Sequence, residues 1–246
     1  LFSAPEISRI REPLPPEPFI KMKVRDFGTV LVGLSGLLIA LTSLKGNRKL
    51  RLGFQAVLIV YLGLINADML SQALLVGWAR SGIAWQVAPG LVFLSAAALL
   101  TPMITGRQVY CTHLCPFGAA QDWVGKRSPW KWAVRGRAET LLAALPVVLL
   151  LWGLIIAMRH LPFSLVSLEP FDAFVIRVAG WATITIAVVG LIAAMFLNRA
   201  YCRYGCPTGA MLKFIRFGGT ASERLGRRDF VAAGFVLLAL GMWVMR

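Results

Sequence analysis

The chain has 246 residues, 58% of them hydrophobic and only 15% charged, with a mean hydropathy of +0.71. That is more apolar surface than a soluble domain of this length carries, and the long unbroken apolar runs lack the alternation of a transmembrane barrel, so the fold class expected is all-α, a polytopic protein of the lipid bilayer. The net charge of +15 comes with no aromatic–basic module or recognition helix, so it reads as the Lys and Arg excess of cytoplasmic loops and not as a nucleic-acid footprint.

Residues 1–25 form a Pro-rich arm that lacks the apolar core of a signal peptide and is expected to be extended. The domain 26–246 is expected to hold about six transmembrane helices, over 27–44, 52–73, 87–104, 141–158, 178–197 and 230–245. Small residues in the first, "GTVLVGLSG", suit close helix packing. Toward the outer end of the second span stands Asp68. An acid at membrane depth is expensive, which makes Asp68, with Asn66 and Gln72, a candidate proton or quinone site; the alternative is a span that ends there, with Asp68 among the headgroups. "LLVGW" (74–78) is too short to cross and reads as interfacial or re-entrant.

The 45–52, 105–140 and 198–229 loops carry four, six and seven cations. They alternate with the other loops, so they share one side, with seventeen cations against nine elsewhere. That side is expected to be the cytoplasm, with both termini outside; the location expected is a bacterial inner membrane, crossed several times.

The chain has four cysteines, all in two near-copies: "YCTHLCPFGA" from Tyr110 and "YCRYGCPTGA" from Tyr201. Cys111 and Cys115 align with Cys202 and Cys206, Pro116 with Pro207, and Gly118 and Ala119 with Gly209 and Ala210. Each copy follows one span and precedes another on the same side. The chain therefore reads as two pseudo-symmetric helix–CxxxCP–helix halves, about 87–158 and 178–245. Cytoplasmic thiols are kept reduced, so disulfides are disfavoured and a four-thiolate metal site is favoured, with zinc or iron–sulfur as the candidates. The Cys-Pro pairs favour iron–sulfur. Proline also pushes the cysteine before it out of the helical region and suits the first position of a helix, so Cys115 and Cys206 are expected at helix starts, where free N–H groups stabilise an anionic cluster. Gly118 and Gly209 would let backbone approach it, and Arg107, Arg199 and Arg203 add positive charge. One [4Fe-4S] cluster shared by both halves is the preferred reading.

Paired Cys-x-x-x-Cys-Pro motifs in "GRQVYCTHLCPFGAAQD" and "NRAYCRYGCPTGA", with "LEPFDAF" between them, resemble the NosR/NapH/RdhC-type membrane iron–sulfur proteins over most of the chain from about Asp26. The resemblance implies membrane electron transfer between the cytoplasmic face or the quinone pool and an extracytoplasmic redox protein holding a flavin or a metal. It also implies FMN or quinone supplied by a partner or by an upstream domain, which the outside-facing start would suit. A metal-centre maturation factor and a structural subunit with a metal staple are the alternatives.

Other residues carry less. His113 lines the first motif, since the second copy has Tyr204 there. His160 and His113, the only histidines, fall on opposite membrane faces and do not suit a haem. Glu169 and Asp172 read as a solvated outer loop. "PTGAM" lacks the surroundings of a flavin-attachment threonine at Thr208. Trp123, Trp130 and Trp132, interleaved with Lys126, Arg127 and Lys131, read as an interfacial belt.

Overall fold

The structure, a computed structural model, describes residues 23–159, 169–175, 179–216 and 234. The described residues are helical, with no strands among them. Most of the Pro-rich arm, His160 and the sixth predicted span lie outside the described residues.

Helix α1 spans Val24–Leu41 and α2 spans Arg48–Val57, opened by Asn47, whose side chain accepts from Lys49 N and Leu50 N. α2 continues as a wider π-helical stretch, Leu58–Ile65. Next come α3 (Gln72–Ser81), α4 (Pro89–Thr105) and, after the first cysteine motif, α5 (Pro116–Arg127). α6 is Arg137–Arg159 and α7 is Trp181–Phe196, with a short turn Pro170–Phe174 between them. The second motif holds α8 (Ala200–Tyr204) and α9 (Pro207–Ile215).

By length and composition, α1 and residues Arg137–Met158 of α6 are long and apolar enough to cross a membrane; α4 and α7 are apolar but shorter. Leu31, Leu34 and Leu38 on α1 and Leu145, Val148 and Trp152 on α6 face outward. Both triplets are spaced three and four residues apart, so each makes one exposed stripe. Water penalises such a stripe and hydrocarbon does not.

The second predicted span needs correction. It is not one helix over 52–73: the helix ends at Ile65, residues 66–71 are unwound, and α3 restarts at Gln72 under a Ser71 cap. The reason is tertiary. Leu70 N donates to Tyr110 Oη at 2.6 Å, and Gln72 N donates to both oxygens of Glu169 at 3.0 and 2.9 Å. These partners replace the preceding helical turn, which is how irregular backbone survives away from water. Residues 74–78 are the middle of α3, not a separate interfacial piece.

α1 packs on α4, α5 on α7 and the π-helical stretch, and α9 on α6 and α4. The motifs themselves fill the centre. Tyr110, Leu114, Phe117 and Leu212 are at most 2% exposed and share one apolar cluster with Leu58, Leu62, Leu70 and Leu94. Fully burying one such Leu or Phe contributes about 1.5–3 kcal/mol. The cysteine motifs lie between spans in the sequence, yet they are the core and not peripheral loops.

Candidate metal centre

In the first motif the backbone runs as a single π-helical turn, Tyr110–Leu114, then swings into extended geometry at Cys115 (φ −83°, ψ 119°) before Pro116 opens α5. In the second, α8 ends at Tyr204, Cys206 is extended (φ −87°, ψ 111°), and Pro207 opens α9. The closures match: Cys115 N donates to Tyr110 O, and Cys206 N to Tyr201 O, each at 2.8 Å. Cys115 Sγ accepts from Gly118 N at 3.5 Å and Cys206 Sγ from Gly209 N at 3.2 Å. Each second cysteine is thus the cap of a helix, its sulfur facing the free N–H groups and positive end of the dipole.

Glycine is required at Gly118, where a Cβ would overlap the Cys111 carbonyl oxygen, and less so at Gly209, where a Cβ would meet Cys202 O at 3.2 Å. The two halves also reach across to each other. Gln108 Nε2, just before the first motif, donates to Gly209 O at 3.2 Å. Arg199, at the matching position before the second motif, donates from Nε and Nη2 to Asp122 of α5 at 2.6 and 2.9 Å. Gln121, 0% exposed, accepts from Tyr201 N at 3.0 Å and donates to Cys202 Sγ at 3.2 Å. Gln55 and Lys126 complete the shell of Asp122. Burial alone would raise the Asp122 carboxyl, but Arg199 and then Lys126 hold it well below the usual carboxylate range.

The four thiols feel one another. Burial, then the Cys115 charge, pushes Cys111 up to about 12, against the pull of Arg199. Burial, then Cys115 and Cys111, raises Cys202; burial, then Cys111 and Cys202, raises Cys206. Cys115 is raised by burial and eased by the N–H groups of Gly118 and Phe117. Two buried and two half-buried thiols that oppose each other's ionisation fit a cationic centre that takes them as thiolates. Among the described residues no three His, Cys, Asp or Glu side chains converge on a point for a single ion.

Cys115 and Cys206 are buried, whereas Cys111 and Cys202 are half-buried and line a cavity of about 580 Å³ with Arg199, Arg203, Lys213 and Glu139. Arg203 Nη2 bridges to Glu139 at 2.7 Å, with both side chains well exposed. Pro116 and Pro207 are the first residues of their helices. Arg107 is exposed just past the end of α4, and Arg199 acts on Cys111, Cys115 and Cys202. His113 Nδ1 lies 2.7 Å from Thr112 Oγ1.

Asp68 and Asn66 come together, but not at the cysteines. Asp68 accepts from Thr29 Oγ1 at 2.6 Å, and Asn66 Nδ2 donates to the same oxygen at 3.0 Å. Both are buried within the protein, Asp68 at 4% exposure, just past the helix end at Ile65. Gln72 makes its contacts elsewhere: its backbone N donates to Glu169 and its side-chain Nε2 to Leu150 O at 3.2 Å. The solvated-loop reading of Glu169 also needs correction: it is 2% exposed and takes a third hydrogen bond from Thr208 Oγ1 at 3.1 Å. Burial pushes its carboxyl up to about 7 despite those donors. Asp172 is half-buried and raised by burial. Gln108, Gln121, Asp122 and Glu169 had no sequence signal, because nothing in their own neighbourhood announces a partner tens of residues away. Trp130 and Trp132 are exposed and stack around Phe196.

A family model described as a 4Fe-4S binding domain matches the chain twice, over residues 87–135 and 179–227. The chain is similar to "Protein NirI" of Paracoccus denitrificans, at 30% identity over 67% of this chain and 26% of that protein. It is similar to "Regulatory protein NosR" of Pseudomonas aeruginosa at 31% identity, and of Stutzerimonas stutzeri at 26%, over 67% of this chain and 25% of each. The chain thus spans about a quarter of the length of the curated relatives it matches. No solved structure matches it.

Proposed function

The chain belongs to the NosR/NapH-type family of membrane iron–sulfur proteins, and from that premise we propose that it is a membrane-embedded electron-transfer subunit with one [4Fe-4S] cluster shared by Cys111, Cys115, Cys202 and Cys206. What supports the reading is that the thiols of two distant motifs act on one another's ionisation, and that each second cysteine caps a helix with its sulfur facing a glycine N–H. A cluster bound there supplies one-electron redox chemistry. The chain's own residues do the rest. Gly118 N, Gly209 N and Gln121 Nε2 donate to sulfur and stabilise thiolate charge. Arg199, fixed by Asp122, adds positive potential on the Cys202 side. Tyr110, Leu114 and Phe117 keep water from the buried half.

The proposed topology is six spans, with the motifs on the cytoplasmic side, both termini outside and the halves 87–158 and 178–245 related about the centre. The first motif packs against Gly36 of α1 through Leu114 and His113. At 1.5 Å per residue that is about 8 Å from one end of α1 and about 18 Å from the other. A second redox group is needed to span the longer stretch. We assign that role to a quinone, or to a flavin or metal centre on an extracytoplasmic partner. Asp68 and Asn66, buried toward the far end of α1, are the proposed proton or quinone residues there. The relatives called regulatory proteins suit a second reading, in which the same cluster reports redox state and does not carry flux.

The test is iron and acid-labile sulfide analysis of anaerobically purified protein, with EPR after reduction. About four irons and four sulfides per chain, reducible in one-electron steps, is the expected result. Stoichiometric zinc in colourless protein would overturn both readings.

A further inference from the structure

The turn Pro170–Phe174 and the residue before it bring a carboxylate into the core. Glu169 forms no ion pair with a Lys or Arg among the described residues. Both its oxygens accept from Gln72 N, at the unsatisfied N-terminus of α3, and Oε1 also accepts from Thr208 Oγ1. Thr208 is the second residue of α9, the helix that Cys206 caps. Among the described residues, the ionisable groups that act on Glu169 or feel its charge are acidic: Asp172 from its own segment, Cys115 at the head of α5, Cys206 at the head of α9, and Tyr201 from α8. From α3 it meets only the backbone N–H groups of Gln72 and Ala73.

A buried carboxylate so placed is favoured in its charged form by these hydrogen bonds and opposed by burial and by the acidic groups near it. Its proton affinity therefore depends on how much negative charge its neighbours carry. An electron added at the four-cysteine site raises that affinity, and by linkage a proton on Glu169 favours the electron by the same free energy. We infer that Glu169 is the proton-binding group of the metal centre: when the centre gains one electron from its one-electron donor, the Glu169 carboxylate takes one proton from water, and both leave together on reoxidation. The charge of the buried site is then unchanged by turnover. The inference rests on the reading of the four cysteines as ligands of a redox centre.

The experiment is an EPR-monitored redox titration of the full, cluster-loaded chain across the neutral pH range, for the wild type and Glu169→Gln. In the wild type the reduction equilibrium should fall tenfold per pH unit within the coupled window, which is about 59 mV for one electron. In Glu169→Gln the potential should be flat with pH. Redox-difference infrared spectra give an independent readout: a protonated carboxyl band appears on reduction in the wild type and is missing in the variant. Should Glu169→Gln fail to assemble, Thr208→Val keeps the carboxyl but removes a donor that favours its charged form, and should move the window to higher pH. A flat wild-type potential, or a slope that Glu169→Gln keeps, overturns the inference. Wild-type protein without iron and sulfide overturns the cluster reading itself, and this one with it; a cluster with a pH-independent potential overturns this one alone.

Discussion

The first cysteine motif and the second share a backbone and differ in the company they keep. Cys115 and Cys206 both cap helices, both close onto a tyrosine carbonyl five residues back, and both accept from a glycine N–H three residues on. Around them the halves diverge. α5 carries Gln121 and Asp122, which reach over to Cys202, Tyr201 N and Arg199; the matching positions of α9 are Leu212 and Lys213, which give nothing in return. Phe117 in the first half is Thr208 in the second, and it is Thr208 that touches Glu169. Repetition has kept what the sulfurs need from the backbone. Divergence has made a centre with an amide and a guanidinium on the Cys202 side and a carboxylate beside the Cys206 helix. A lone electron carrier needs only the first feature; a centre with a direction or a coupled proton needs the second.

The hardest test of the shared site is to remove one thiol from either half. Cys111→Ser and Cys202→Ser should each bring iron and labile sulfide close to zero, because a cluster spanning both halves cannot stand on one. Two separate sites would instead leave about half the metal in each variant. Next is the unequal tolerance of the paired glycines. In Gly118→Ala the new methyl runs into the Cys111 carbonyl, whereas in Gly209→Ala it makes a tight contact with Cys202 O. Overpacking of this kind costs about 1–3 kcal/mol, so thermal stability and cluster retention should fall clearly in the first and slightly in the second. Equal losses would mean the halves are more alike than their contacts suggest. Gln121→Leu copies into α5 what α9 has at Leu212. It strands Tyr201 N and removes a donor to Cys202 Sγ, costing about 1–3 kcal/mol. Losing a hydrogen bond to a ligand sulfur should also lower the cluster's potential, read by EPR titration.

What was legible in the sequence follows the same division. The four cysteines, their prolines and the small residues after them are local requirements, so they stand in the sequence as a repeated string, and the helix starts at Pro116 and Pro207 followed from it. The break at 66–71 left no such mark. "YLGLINADML" has no proline, and its one glycine lies before the break; it reads as an apolar span, and it unwinds because Tyr110 Oη and Glu169 claim its N–H groups from 40 and 97 residues away. Glu169 was misread for the matching reason. In "LEPFDAF" an acid beside proline has the composition of a solvated turn, and only the assembled core shows where it goes. Binary patterning sees which residues are polar, but it cannot see a polar residue buried against a distant helix end.

The smallest predicted effect separates the two tyrosines that open the motifs. Tyr110 Oη accepts from Leu70 N at 2.6 Å within the core, so Tyr110→Phe leaves a buried backbone N–H without its partner. The loss expected is about 1–3 kcal/mol, and with it protection of residues 66–71 in hydrogen exchange, since that bond is one of those holding the break in place. Tyr201 Oη is buried and has no partner among the described residues. Tyr201→Phe removes an unsatisfied oxygen and keeps the ring that packs edge-on against Phe117 at 5.3 Å. It should be neutral or slightly stabilising in a thermal melt, with cluster content unchanged. If Tyr201→Phe instead costs as much as Tyr110→Phe, the second hydroxyl has a partner of its own and the asymmetry between the halves is smaller than their hydrogen bonds imply. If the two differ as expected, the first motif is the one that holds the membrane helices in register around the centre, and the second is free to carry the residues that tune it.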